Sequence, residues 1–143
     1  MGVLCRDLIV EYSAGNRTVR PIDSLNLSLS DGEVALLLGA SGSGKTTLLS
    51  VLAAILRATS GFVEVAGHDL SGLSGQALAR YRQRTVGVVF QAYNLIPSLK
   101  ASENVELPLR AAGVPAAQAR RRAAQLLDQL GLEHRRDHRP RDL

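Results

Sequence analysis

Cysteine, aromatic residues and lysine are scarce in this sequence, and each shortage excludes something. The single cysteine, Cys5, has no partner for an internal disulfide, so a disulfide scaffold is excluded and a reducing compartment is the default. Five aromatic residues (Tyr12, Phe62, Tyr81, Phe90, Tyr93) and no tryptophan cannot build a ring-packed sandwich. The core has to come from Leu, Val and Ala, which suits an α/β protein. No apolar run reaches the ~18 residues of a membrane span, and residues 1–20 lack the apolar stretch of a signal peptide, so the chain reads as soluble and cytoplasmic. With 45% hydrophobic and 21% charged residues it is neither disordered nor collagen-like, and 143 residues make one domain or a piece of a larger one. The net charge of +4 is carried almost wholly by arginine, since only Lys45 and Lys100 are lysines. That excess fits an Arg-rich coding style about as well as phosphate ligands and a nucleic-acid surface taken together.

The hydrophobic pattern divides the chain into an antiparallel lobe, a core and a helical stretch. Residues 3–12 read as a strand, Ser13, Ala14, Gly15 and Asn16 as a turn, and residues 25–30 alternate with period two. After the Asp31-Gly32 turn, Val34, Ala35, Leu36, Leu37 and Leu38 form a continuous apolar run, the pattern of a strand covered on both faces. Residues 45–56 then carry Leu48, Leu49, Leu52, Ile55 and Leu56 on one helical face. A short strand at 62–65, a helix at about 74–83 and a second buried strand at 86–90 follow. Beyond Gln91 the pattern is helical, with breaks at Pro97, Pro108 and Pro115 and Ser102 as an N-cap. The clearest helix covers 116–130, with Gly131 placed to end it.

The chemistry is concentrated between the first buried strand and the first helix. Gly39-Ala40-Ser41-Gly42-Ser43-Gly44-Lys45-Thr46 satisfies G-x-x-x-x-G-K-[ST] in the context that gives the motif meaning, after a strand and opening a helix. Glycines let backbone N–H groups converge on a phosphate, and the helix N-terminus adds partial positive charge. Lys45 is placed to reach the β and γ phosphates and the Thr46 hydroxyl to bind Mg²⁺. Gln91 closes the strand at 86–90, where a lone carbonyl oxygen can reach a metal or water at a sheet edge, although a Gln after Phe is ordinarily a surface residue. Leu73-Ser74-Gly75-Gln76 is a helix start with Ser74 as N-cap, His134 and His138 belong to a solvated basic end, and Arg120-Arg121-Arg122 is a solvated helix face.

These pieces together resemble the ATP-binding-cassette (ABC) transporter ATPases. Asp31-Gly32-Glu33, the stretch 39–49, Thr59-Ser60-Gly61 and Val86-Gly87-Val88-Val89-Phe90-Gln91 stand in that family's order along essentially the whole chain. Residues 90–97 with Glu103-Asn104-Val105 are similar to the branch of lipoprotein-releasing, macrolide-exporting and cell-division ATPases. The resemblance implies an α/β P-loop NTPase core with a small antiparallel β lobe, together about 1–91, and the start of a helical subdomain, about 92–143. It implies that ATP is bound with Mg²⁺. The adenine would stack on Tyr12, the phosphates would lie against Gly39, Ala40, Ser41, Gly42, Ser43, Gly44, Lys45, Thr46 and Thr47, and the metal would meet Thr46 and Gln91. Membrane-spanning permease subunits and a second ATPase subunit are the implied partners, with no nucleic acid expected, and the protein would sit peripherally on the inner face of the cell membrane through them.

The departures from the family matter equally. Where the resembling proteins continue into the signature Ser-Gly-Gly, this sequence stops at Leu143, before any Walker B strand with its Asp and Glu or the switch His. Its C-terminal part is therefore expected to be missing. The expectation is a fragment that holds binding groups without hydrolytic ones and turns over no ATP alone, its apolar strands at 34–38 and 86–90 left with uncovered flanks. A non-transport cassette ATPase acting in cell division or on nucleic acid shares every motif seen, whereas a GTPase or small-molecule kinase is disfavoured because no N-K-x-D motif occurs and the Tyr12 lobe precedes the P-loop.

Overall fold

A computed structural model describes residues 2–15 and 17–143. The chain divides into two compact units, residues 1–87 and 88–143. In the first, β1 (Val3–Ala14), β2 (Arg17–Leu29), β3 (Ser60–Val65) and β4 (His68–Asp69) form one antiparallel sheet in the order β2-β1-β3-β4. Helix α1 (Lys45–Leu52) follows β2, and α2 (Gly75–Arg84) follows β4. The turn expected at 13–16 is narrower than the sequence suggests, because Ala14 already pairs with Arg17; Asn16 lies outside the described residues.

Long strands β1 and β2 stay in register only through bulges. Asp7, at φ 45°, is an extra residue on β1, and the gap in the ladder is filled by Asn26: the Asp7 N–H donates to Asn26 Oδ1 at 3.0 Å, and Asn26 Nδ2 donates to Asp7 Oδ1 at 3.1 Å. The bulge pushes backbone toward β3, where a Cβ on Gly61 would lie 2.4 Å from the Asp7 carbonyl oxygen. Only glycine, at φ 90°, fits there.

The core of this unit lies between the sheet and α1. Cys5, Leu8, Val10, Ile22, Val63 and Val65 point inward from the strands and meet Leu48 and Val51 of α1 and the ring of Tyr81 from α2. Burial pushes the Cys5 thiol pKa up, so the group is a packed hydrophobe at neutral pH.

Helix α1 ends at Leu52 rather than near 56, because Ala54 turns to φ 54°. Its last four carbonyls are nevertheless all used. Leu49 O accepts from Ala53, Ser50 O from Ile55 and Leu56, and Val51 O from Ala54, while Leu52 O accepts the buried Tyr81 hydroxyl at 2.5 Å. Burial pushes the Tyr81 pKa up to about 12, so the phenol remains a neutral donor at physiological pH. Its ring also meets His68 edge to face, with centroids 5.5 Å apart.

Two expectations from the sequence are corrected here. Residues 34–38 and 86–90 form no strand: Val34 is 95% exposed and Val89 90% exposed. A strand covered on both faces requires neighbouring strands and two covering layers, and the described residues supply neither to these segments.

The second unit is built on α3 (Ala101–Ala111) and α4 (Ala116–Gln129). Ala119, Ala123 and Leu127 fall on one buried stripe of α4, and Gly131, at φ 69°, ends the helix with its N–H donating to Asp128 O. Helix α3 starts one residue before Ser102 and runs through Pro108 instead of breaking there. The Lys100 N–H donates to Glu103 Oε2 at 2.7 Å, and the N–H groups of Ala101 and Ser102 donate to the carbonyls of His138 and Arg136. Asn104 ties the preceding loop, accepting from the Ile96 N–H and donating to the carbonyls of Ile96, Leu99 and Lys100.

Tyr81→Phe keeps the ring and removes only the donor to Leu52. A buried carbonyl left unpaired costs about 1–3 kcal/mol, so urea denaturation of the full-length protein is expected to show a loss of that size. An unchanged midpoint would mean that another donor reaches Leu52 O.

Candidate functional site: the phosphate loop

Residues 39–44 link the exposed segment 34–38 to α1 without regular structure. The loop folds because its backbone adopts conformations that side chains resist. Gly44 occupies the N-cap position of α1 at φ 87°, and a Cβ there would lie 2.3 Å from the carbonyl oxygen of Pro21 on β2. The loop backbone is thus pressed directly against the sheet. Helical bonding begins at once, Leu48 N–H donating to Gly44 O at 2.8 Å.

Lys45, the first residue of α1, closes the loop from inside. Its ammonium donates to Gly39 O and Ala40 O, both at 2.7 Å, and to Ser43 Oγ at 3.1 Å. These partners match the three donors of a lysine, so the cation sits at the centre of the arch. No acidic residue occupies the first turn of α1, and the helix N-terminus keeps its partial positive charge uncompensated from within. Thr46 and Thr47 follow on that first turn, Thr46 exposed. A hollow of ≈ 260 Å³ adjoins the loop, lined by Ser43, Gly44, Lys45 and Leu48 on one side and by Pro21, Ile22 and Asp23 of β2 on the other. A cation within an arch of backbone amides at a helix N-terminus is chemically suited to a phosphate group.

Of the residues singled out from the sequence, the structure gathers Gly39, Ala40, Ser43, Gly44 and Lys45 into one hydrogen-bonded arch, with Ser41 and Gly42 at its tip and Thr46 and Thr47 beside it. Tyr12 stands on β1 opposite Val19, its side chain about half exposed. Gln91 belongs to the second unit and does not close a buried strand; it opens an exposed turn in which Tyr93 and Asn94 take φ values of 58° and 48°. Ser74 is at the N-cap position of α2 but makes no side-chain cap bond. His134 lies in a 3₁₀ turn (Glu133–Arg135), so the i, i+4 spacing to His138 is not helical, and no group of three or more His, Cys, Asp or Glu suited to a metal occurs among the described residues. Pro21 and Asp23 precede the alternating stretch 25–30 and carry no sequence signal for the site; the fold brings them to it as part of β2.

Residues 22–143 match the sequence family described as ABC transporter. The chain belongs to the ABC transporter family. It is 54% identical over 142 residues to an "Uncharacterized ABC transporter ATP-binding protein" of Mycobacterium tuberculosis, covering 99% of this chain and 43% of that protein. It is 44% identical over 137 residues to the macrolide export ATP-binding/permease protein MacB of Brucella abortus, covering 96% of this chain and 21% of that protein. Its fold superposes with a TM-score of 0.91 and 32% identity on a dimeric ATP-binding cassette solved in a post-hydrolysis state with ADP and Pi, covering 99% of this chain and 62% of that one. The fold is thus that of the ABC cassette, a P-loop NTPase, with its small antiparallel sheet and helices. The chain spans under half the length of these curated relatives. No helix among the described residues of this ABC-family chain is long and apolar enough to cross a membrane.

The approach of Gly44 to Pro21 gives a direct test of the loop. Gly44→Ala puts a Cβ into the Pro21 carbonyl at a positive φ, and is expected to lower stability by at least about 1–3 kcal/mol and to abolish phosphate-dependent ligand binding. Chemical denaturation and nucleotide titration of the full-length variant measure both; parent-like values in both would show that the loop does not rest on β2.

Proposed function

We propose that this chain is the ATP-binding part of a transporter ATPase, which in the full-length protein couples ATP binding and hydrolysis to export or release of a substrate by membrane partners. The observation that carries this reading is the arch of residues 39–45, with the Lys45 ammonium at its centre and the N-terminus of α1 behind it. A triphosphate entering the arch would replace the two carbonyls and the Ser43 hydroxyl around Lys45 with charged oxygens, exchanging neutral acceptors for anionic ones. Thr46, exposed on the first turn, offers a hard oxygen suited to Mg²⁺. Gln91 is read as a further contact to that ion and Tyr12 as the ring on which adenine stacks. Bound Mg²⁺ would neutralise charge on the β and γ phosphates.

In the same reading the antiparallel lobe and P-loop core extend to about residue 91, with a helical subdomain from about 92. A second ATPase subunit and membrane-spanning permease subunits are the partners, which would hold the protein at the inner face of the membrane. The relatives named for ATP binding and for macrolide export, and the dimeric cassette solved with ADP and Pi, support this assignment.

Lys45→Ala in the full-length protein is expected to weaken MgATP binding roughly ten- to a hundredfold, because a charge-assisted bond is worth about 1.5–3 kcal/mol. Isothermal titration decides this, and equal affinities would remove the phosphate-loop assignment. The same titrations with GTP are expected to differ little from ATP, since stacking on Tyr12 reads no hydrogen-bond pattern. A GTP preference above about a hundredfold, some 2.7 kcal/mol, would point to a guanine-specific enzyme instead.

The 143 residues by themselves are expected to release no phosphate above a Lys45→Ala control. Release above it in a Mg²⁺-dependent assay would reveal hydrolytic groups within this stretch.

A further inference from the structure

The β1–β2 hairpin changes register just below Tyr12. Val10 pairs with Ile22 and Tyr12 with Val19, so two steps on β1 span three on β2, and Arg20 and Pro21 together oppose Glu11. A bulge of this kind bends the strand and re-aims the side chains beyond it. Pro21 has no N–H with which to mend the ladder. Past the bulge, Tyr12 and Val19 are 47% and 38% exposed, so core packing does little to fix the arm that carries the ring.

Side chains secure it instead. Thr59 Oγ1 accepts the Glu11 N–H at 2.8 Å from the β3 side. On the other side the Arg20 guanidinium pairs with the Glu11 carboxylate across the strands and donates to Asp23 Oδ1 at 3.0 Å along β2. Asp23 and Pro21 line the hollow beside the phosphate loop, and the Pro21 carbonyl is the surface on which Gly44 rests. The guanidinium therefore ties the Tyr12 arm to the stretch of β2 that supports the loop.

We propose that Arg20 is a positioning residue that, by bridging Glu11 and Asp23 across the bulge, holds the Tyr12 ring at a fixed place relative to the phosphate loop and so strengthens recognition of the nucleoside part of the ligand. This rests on the reading of Tyr12 as the stacking residue. Arginine suits the role because its planar fork engages two carboxylates at once, which a lysine ammonium on a flexible stem does not hold in place.

The test separates the base from the phosphates. In the full-length protein, affinities for MgATP and for magnesium tripolyphosphate, which has no base, are measured for the parent, Arg20→Gln, Arg20→Lys, Tyr12→Ala and the Tyr12→Ala/Arg20→Gln double variant. Both Arg20 variants are expected to lose about two- to fivefold in MgATP affinity, the scale of an exposed ion-pair network, with tripolyphosphate unchanged. In the Tyr12→Ala background, Arg20→Gln is expected to cost nothing further, because its effect passes through the ring.

Equal losses for both ligands would make Arg20 a phosphate-facing charge, and full recovery by lysine would make it a charge without geometry; either overturns the proposal, as does the absence of any loss. If Tyr12→Ala itself leaves the two ligands unchanged, the stacking reading falls and the proposal with it. A selective loss in Tyr12→Ala that Arg20→Gln does not share removes the role of Arg20 alone.

Discussion

The contact between Gly44 and the Pro21 carbonyl is the constraint around which the first unit is organised. It brings the loop backbone against β2 at a separation that leaves no room for a side chain, and it fixes the first residue of α1. From that point α1 packs on the sheet, with Leu48 and Val51 in the core shared with Leu8, Val10 and Ile22. The N-terminus of the helix is held where Lys45 can turn back into the loop. The opposite end is held by Tyr81 at Leu52. An eight-residue helix is too short to be stable by itself, so its position is set by these two ends and the apolar face between them.

The sheet serves the loop by being irregular. An unbroken β1–β2 ladder would place every residue by period two alone. Residues at positive φ, Asp7 on β1 and Ser24 on β2, and the proline-containing stretch at Arg20 and Pro21, shift that period three times. Those shifts put the Pro21 carbonyl beneath Gly44, and they leave Glu11 opposite Arg20 and Pro21. The same irregularity explains Gly61, which faces the displaced Asp7 backbone. Two glycines far apart in sequence thus answer the same demand, close approach of one backbone to another.

What could be read from the sequence was what is encoded in contiguous residues. The loop 39–46, α1 and its Leu48 face, the strand now bounded as Ser60–Val65 and the α4 stripe of Ala119, Ala123 and Leu127 each depend on local pattern. Pattern and structure differ at boundaries where a backbone turn, rather than a side-chain pattern, ends the element, as at Ala54, whose φ of 54° no propensity of alanine announces. Pro108 predicts a break, yet α3 absorbs it, because a proline two turns into a helix forfeits one donor and the tertiary contacts of the helix outweigh it. Arg20, Glu11, Asp23, Thr59 and Tyr81 were unreadable as parts of the site, since each acts on a partner brought close only by the fold.

Residues 34–38 and 86–90 show the other side of this distinction. Their apolar character is as plain in the sequence as that of any core strand, yet Val34 and Val89 lie almost wholly exposed. Burial of a central strand is a property of its neighbours, which must supply hydrogen bonds on both edges and apolar side chains on both faces. A phosphate loop asks for much less, namely three glycines, a lysine, a helix start and one carbonyl of β2 to lean on. Among the described residues the loop 39–45 is therefore closed by its own hydrogen bonds, while the apolar segments 34–38 and 86–90 form no strand. The local half of a nucleotide site can form from adjacent residues. A strand covered on both faces depends on segments distant in sequence, which is the physical reason for proposing residues 39–46, whose contacts are local, as the phosphate site.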